Sequence, residues 1–305
     1  MNPVLRWFHQ LGSPPYFDRF AARWAPWGYG LGMLVMAWGV YGALFQVPAD
    51  YQQGDSFRIL YIHVPAAWMS MAIFGLMALY AAIALVWRIK LCEILAMACA
   101  PIGAAFTLVT LATGSIWGKP MWGTWWDWDP RLTTELVLLF LYLGVIGLYH
   151  AIDDRRAAAR AAGLLAVVGV VMLPIIRYSV VWWHSLHQGP TISLLGESKL
   201  DTSMLPPLLW MLVGTKLWFA GSLLARARRQ PAARGGQGLG AQARGGEAMS
   251  YREYVIAAYA VFAAVLAWDY IAARLGIATQ LRAARKLALR RESRAAAAID
   301  TELQR

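Results

Sequence analysis

The chain has 305 residues, is 59% hydrophobic and has a mean hydropathy of +0.46. That composition is too apolar for a soluble surface and suits a polytopic membrane protein. A formal charge of +11 would suit nucleic acid, but the basic residues sit in short clusters between apolar stretches. This is the pattern of topology signals rather than of a binding face, so no nucleic-acid partner is expected. The two cysteines, Cys92 and Cys99, share one apolar segment. They exclude a disulfide framework, a CxxC redox pair and a CxxCH attachment motif, and both read as small buried hydrophobes.

The first 26 residues carry Pro and charges without an apolar core, so no cleavable signal peptide is expected. Spans need about 20 mostly apolar residues. Six stretches qualify: 27–47, 59–87, 94–113, 132–152, 161–180 and 205–224. A seventh, 255–271, is shorter and follows a Gly-rich linker. The fold class expected is therefore all-α: a membrane bundle of six transmembrane helices with one additional C-terminal helix and an external tryptophan-rich loop.

Orientation follows from the basic residues. With the N-terminus inside, the inner segments of the six-helix part hold twelve Arg and Lys, among them Arg19, Arg23, Arg88, Arg155 and Arg228, against Arg58, Lys119, Arg131 and Lys199 outside. The positive-inside rule then prefers both ends of this part inside, which puts 48–58, 117–133 and 181–204 outside. His9 and His150 fall at the inner level, whereas His63, His184 and His187 share the outer one.

The outer stretch 117–133, WGKPMWGTWWDWDPRLT, carries Trp117, Trp122, Trp125, Trp126 and Trp128. An interfacial aromatic belt explains scattered tryptophans, but five in one short stretch read as an aromatic shelf for a large flat ligand. Asp129 before Pro130 is a good N-cap before a good first helical residue, so Asp129 is either a cap or part of the ligand site. Haem suits these parts. Histidines from the second span and from the loop after the fifth would approach the iron, indoles would cover the porphyrin, and Arg58, Lys119, Arg131 or Arg177 would meet the propionates. Each has a plainer reading: an interfacial histidine, a snorkelling or solvated cation, or, for Glu135, an acid favouring a helix N-terminus. The residues alone leave His184 and His187 equivalent. A b-type electron carrier would instead need histidine pairs buried in mid-bilayer. An exporter permease would need a polar pathway, of which Lys216 and Arg177 are the main trace.

WGTWWDWDPRLT followed by TELVLLFLYLG resembles the WWD signature of the haem-handling membrane proteins of cytochrome c maturation, and within them the protein C, or haem exporter protein C, family. ADYQQGDSFRILYIHVPAA around His63, PIGAAFTLVTLATGSIWGKPMWGTWW, the DDRRAAARAAG turn and WWHSLHQG around His187 extend the resemblance over residues 1–226. It implies His63 and His187 as axial ligands, with His184 standing where the family usually has another polar residue. It implies haem b held with Trp117, Trp122, Trp125, Trp126, Trp128, Asp129, Arg131 and Arg58 at the outer face of a bacterial inner membrane. The partners it implies are the periplasmic haem chaperone (protein E), the ATP-driven subunits A and B, and the small protein D. The implied role is positioning rather than enzymatic catalysis.

Residues 227–249 read as a flexible Gly/Arg-rich linker. Residues 250–305, a single short helix with a basic tail, resemble protein D and suggest a C–D fusion. The internal Met249 would mark the join. A seventh span starting from inside would put that basic tail outside, against the positive-inside rule, so the topology of this helix is open.

Overall fold

A computed structural model describes residues 14–187 and 200–240, with side chains from 16 to 187 and from 200 to 229. The chain divides into two units, Met1–Gly246 and Glu247–Arg305. The second unit lies outside the described residues, and with it the expected C-terminal helix; His9 does too.

The helices are α1 (Pro14–Phe45), α2 (Leu60–Trp87), α3 (Lys90–Trp122), α4 (Pro130–Ala151), α5 (Arg155–Gly169), α6 (Met172–Trp182) and α7 (Leu205–Gly240), with a 3-10 turn at Asp55–Ile59. Among the described residues there is no β-strand, only an isolated bridge between Asp50 and Gly54. Six segments are long and apolar enough to cross a membrane: Tyr16–Phe45, Asp55–Trp87, Lys90–Trp122, Pro130–Ala151, Arg155–Trp182 and Leu205–Arg229. The architecture is thus the all-α six-span bundle expected.

Three elements differ from the sequence reading. α3 does not stop near Thr113 but runs through Pro120 to Trp122, where Gly123 ends it in the left-handed conformation at φ 79°. Gly114 and Gly118 weaken helix propensity there, but tertiary packing of this last segment overrides it. Trp117 and Trp122 are therefore helical, and the irregular part of the tryptophan stretch is only 123–129. The fifth span is broken into α5 and α6. Pro174 has no N–H to give the Val170 carbonyl, which accepts instead from Leu173 at 3.0 Å, and the chain turns at Val170–Val171. α7 continues to Gly240, past the start of the stretch read as linker.

α2, α3, α4 and α5 share the main core, in which Phe74, Met77, Leu138 and Tyr142 are fully buried. Phe74 and Tyr142 meet edge to face at 5.0 Å. Cys99 lies in this core, as its sequence reading required, whereas Cys92 is half-buried; both thiols are free. α1 pairs chiefly with α7 through small residues. A Cβ on Gly28 would come within 2.7 Å of the Gly221 backbone, and one on Gly32 within 2.7 Å of Trp218 N. Glycine at these crossings lets two backbones touch, which drives helix association where lipid offers no hydrophobic gain. A second cluster, with Ala43, Val47, Phe57, Tyr61 and Leu208, closes the end of the bundle that carries His63.

Candidate functional site

At that end α2, α3 and α4 bring their termini together with the loop following α6. His63 lies in the first turn of α2 and packs on α3. Its Nδ1 is 3.0 Å from Thr113 Oγ1, and the next residue is Gly114, where a Cβ would come within 3.2 Å of His63 Cε1.

His187 is held differently. Its loop is tied to the start of α4 by Asp129, which is only 3% exposed. Oδ1 accepts from the Arg131 N–H at 2.8 Å, which is the N-cap bond. Oδ2 accepts from Ser185 Oγ at 2.6 Å and from Leu186 N–H at 2.7 Å. Asp129 is therefore both the cap and an anchor of the His187 loop. Burial pushes its carboxyl up, but the Ser185 hydroxyl and the Arg131 and Leu186 amides outweigh that and hold its pKa below the ordinary value, so it is ionised.

His187 stacks obliquely on Trp122 with centroids 5.2 Å apart, and its Nδ1 lies 3.4 Å from Asp129 Oδ1. That contact is too long and too poorly aligned for a hydrogen bond, so Nδ1 is buried without one. Burial takes the His187 pKa down to about 4. Asp129 opposes the shift and Arg131 adds to it. The imidazole is thus neutral near pH 7, the form that donates a lone pair to a metal.

His63 lies within electrostatic reach of His187, and both lie within reach of Arg131. Along α3 their contacts, at Gly114 and Trp122, are separated by about 12 Å of helical rise. Trp117 fills that interval. Its ring meets Trp122 edge to face at 5.3 Å, and its Nε1 donates to Gln53 Oε1 at 3.1 Å. Gln53 is itself set by the Asp50 carboxylate, which accepts its N–H at 2.8 Å. Beyond α3, Trp126 and Trp128 meet edge to face at 5.6 Å; Trp126 is half-buried with its Nε1 buried and without a partner among the described residues, while Trp125 and Trp128 are 58% and 43% exposed.

The cations divide. The Arg131 guanidinium forms no hydrogen bond or ion pair among the described residues, although Glu135, Arg177 and Asp129 all lie within electrostatic reach. Arg58 stands apart from the histidines: it pairs with Asp55 at 2.9 Å, donates to the Ala43 carbonyl and lies over the Phe57 ring, pinning the turn before α2 to the end of α1. Lys119 donates to the Gly123 carbonyl at 3.1 Å, and Arg177 and His184 are exposed. No three His, Cys, Asp or Glu side chains gather into a metal-holding group among the described residues. His63 and His187 are thus two separate imidazoles at this end of the bundle.

Thr113, Gly114, Ser185, Gln53 and Ser70 were not singled out from sequence. Ser70 donates at 2.6 Å to Glu135, which is buried on α4 rather than placed at its end, and Tyr142 donates to the Ser70 carbonyl at 2.7 Å. The sequence signal for these residues is slight: Ser70, Thr113 and Gly114 lie on otherwise apolar helices, and Gln53 and Ser185 lie in loops beside a glycine and a histidine.

Over residues 7–238 the chain matches the family described as Heme exporter protein C. It belongs to that family. It is 52% identical over 220 residues to the Heme exporter protein C of Escherichia coli strain K12, covering 72% of this chain and 89% of that protein. It is 46% identical over 225 residues to the Heme exporter protein C of Haemophilus influenzae, covering 74% and 92%. A Marchantia polymorpha protein described as a putative cytochrome c biosynthesis ccmC-like mitochondrial protein is 42% identical over 198 residues, covering 65% of this chain and 84% of its own length.

Proposed function

We propose that the chain is a haem-handling subunit of cytochrome c maturation. It takes haem b between His63 and His187 at the periplasmic face of the inner membrane and presents it to a covalent haem chaperone, protein E. The observation that carries this reading is the meeting, at one end of the bundle, of two imidazoles, a guanidinium without a hydrogen bond or ion pair among the described residues, and a wall of tryptophans. Bound haem would supply the four equatorial nitrogens that the protein lacks and two carboxylates for cations. His187 is neutral and Trp126 has an unpaired buried N–H, which fits an aromatic, anionic disc.

The chain's own work is positional. Asp129 sets the His187 loop, Trp117 and Trp122 cover one side, Arg131 offers charge to a propionate, and exposed Trp125 and Trp128 form the edge a partner can reach. Arg58 supports this arrangement by fixing the turn before α2. Subunits A and B, driven by ATP, would release the loaded chaperone. Residues 250–305 would stand in for protein D.

The visible spectrum of the detergent-purified protein tests the reading. Wild type should carry low-spin haem with two histidine ligands, and His63→Ala and His187→Ala should each lose that spectrum. A wild type without haem, or an unchanged spectrum in both variants, would refute it.

A further inference from the structure

A histidine can ligate iron through Nε2 only if its proton sits on Nδ1, and in proteins the partner of Nδ1 decides this. The partner of His63 is the Thr113 hydroxyl, which carries one proton and has already placed it. Thr113 Oγ1 donates back along α3 to the Val109 carbonyl at 2.7 Å, with the Thr110 carbonyl at 3.2 Å. At 3.0 Å from His63 Nδ1 the hydroxyl has only a lone pair left to offer, so Nδ1 must donate and Nε2 keeps its lone pair. The Thr110 carbonyl, which can only accept, faces the same ring. On the neighbouring position the missing Cβ of Gly114 leaves room for Cε1, so the ring is bounded on two sides by one dipeptide of α3.

We infer that Thr113 is the positioning residue of the site: through its back-bonded hydroxyl it holds His63 as the Nδ1–H tautomer, with Nε2 presented to the iron. The inference rests on His63 being a haem ligand. It also makes the His63 side of the site ready before haem arrives, because the hydrogen bonds that set the tautomer involve only protein atoms. A hydroxyl is a weaker acceptor than a carboxylate, so His63 keeps more of the character of a neutral imidazole than a ligand bonded to a carboxylate would. That suits cargo that must leave.

The test compares full-length wild type with Thr113→Val, Thr113→Ala and Thr113→Ser, each loaded with haem in detergent. Haem loss to excess apomyoglobin, the low-spin spectrum and the reduction potential are measured, with thermal unfolding as the control for folding. Loss of a partner that orients a ligand typically weakens metal binding by about tenfold or more. Val and Ala should therefore release haem about tenfold faster, show a high-spin fraction and have a raised potential. Ser should behave as wild type. Wild-type release and potential in the Ala variant, with His63→Ala having lost the spectrum, would overturn the inference and leave the haem reading standing. If His63→Ala keeps the two-histidine spectrum, the reading of the site fails and the inference falls with it. If Thr113→Val does not fold, equality of the Ser and Ala variants overturns the inference and a tenfold gap between them supports it.

Discussion

His63 belongs to a helix and His187 to a loop, and the difference runs through everything that holds them. His63 is seated by α3, whose backbone is already satisfied by its own ladder, so its position costs nothing beyond the packing of two helices. His187 follows the irregular residues 183–186, whose polar groups converge on a single carboxylate. One histidine is built into the bundle, while the loop of the other hangs from Asp129. In the proposed function, where haem is taken up and passed on, a fixed side and a loop-borne side divide the work, since local opening draws on the least stable segments.

The strongest way to break this contrast is to remove the anchor. Asp129→Ala deletes the cap of α4 and both bonds to the loop, together worth on the order of 3 kcal/mol. Amide exchange at residues 185–187 should rise more than tenfold while that around His63 stays unchanged. Asp129→Asn separates the two duties. One amide oxygen cannot replace both carboxylate oxygens, so the variant should keep either the cap to Arg131 N–H or the loop bonds, and exchange at Leu186 will report which. Equal protection of the two regions in Asp129→Ala would show that the loop has other support and end the comparison.

Much of this architecture is legible in the chain because its signals are long. Six apolar runs can only be satisfied as helices in a bilayer, and Asp129-Pro130 marks a helix start that the N-cap bond confirms. What escaped reading was short or tertiary. The continuation of α3 to Trp122 brings Trp117 to Gln53 and Trp122 to His187, contacts that no local propensity reveals. The break in the fifth span is written in Pro174, but its exact site is chosen by packing: a Cβ on Gly169 would come within 2.8 Å of Phe74. The seat of His63 lies on a different helix fifty residues on, and Ser185 looks like filler between two histidines until its hydroxyl is seen on Asp129.

A smaller effect sharpens the fixed side. Gly114→Ala would set a methyl 3.2 Å from His63 Cε1, tight enough that the ring must move by a few tenths of an ångström. Overpacking of this kind costs about 1–3 kcal/mol. The variant should shift the haem spectrum through His63 and lower the melting temperature modestly, without raising amide exchange in the His187 loop. Gly147→Ala on α4, where nothing lies within 4 Å, is the control and should be neutral or slightly stabilising. Equal effects of the two substitutions would mean that the tight approach at Gly114 does not matter.

The mildest test asks whether the loop hangs from the carboxylate itself or from the network around it. Ser185→Ala removes one bond to Asp129 Oδ2 and the acceptor, at 3.1 Å, of the His187 N–H, but leaves the Leu186 N–H to Asp129 bond in place. Of the two bonds lost, only the one to Asp129 ties the loop to the carboxylate, and one such bond contributes about 1 kcal/mol net, or roughly a fivefold change in an equilibrium. Exchange at Leu186, whose own bond remains, should therefore rise about fivefold, well short of the Asp129→Ala effect, and haem should be retained. A Ser185→Ala loop as open as that of Asp129→Ala would transfer the anchoring role to the hydroxyl. The carboxylate would then act on the loop chiefly by orienting Ser185, and the contrast between a fixed and a hung histidine would survive with a different hinge pin.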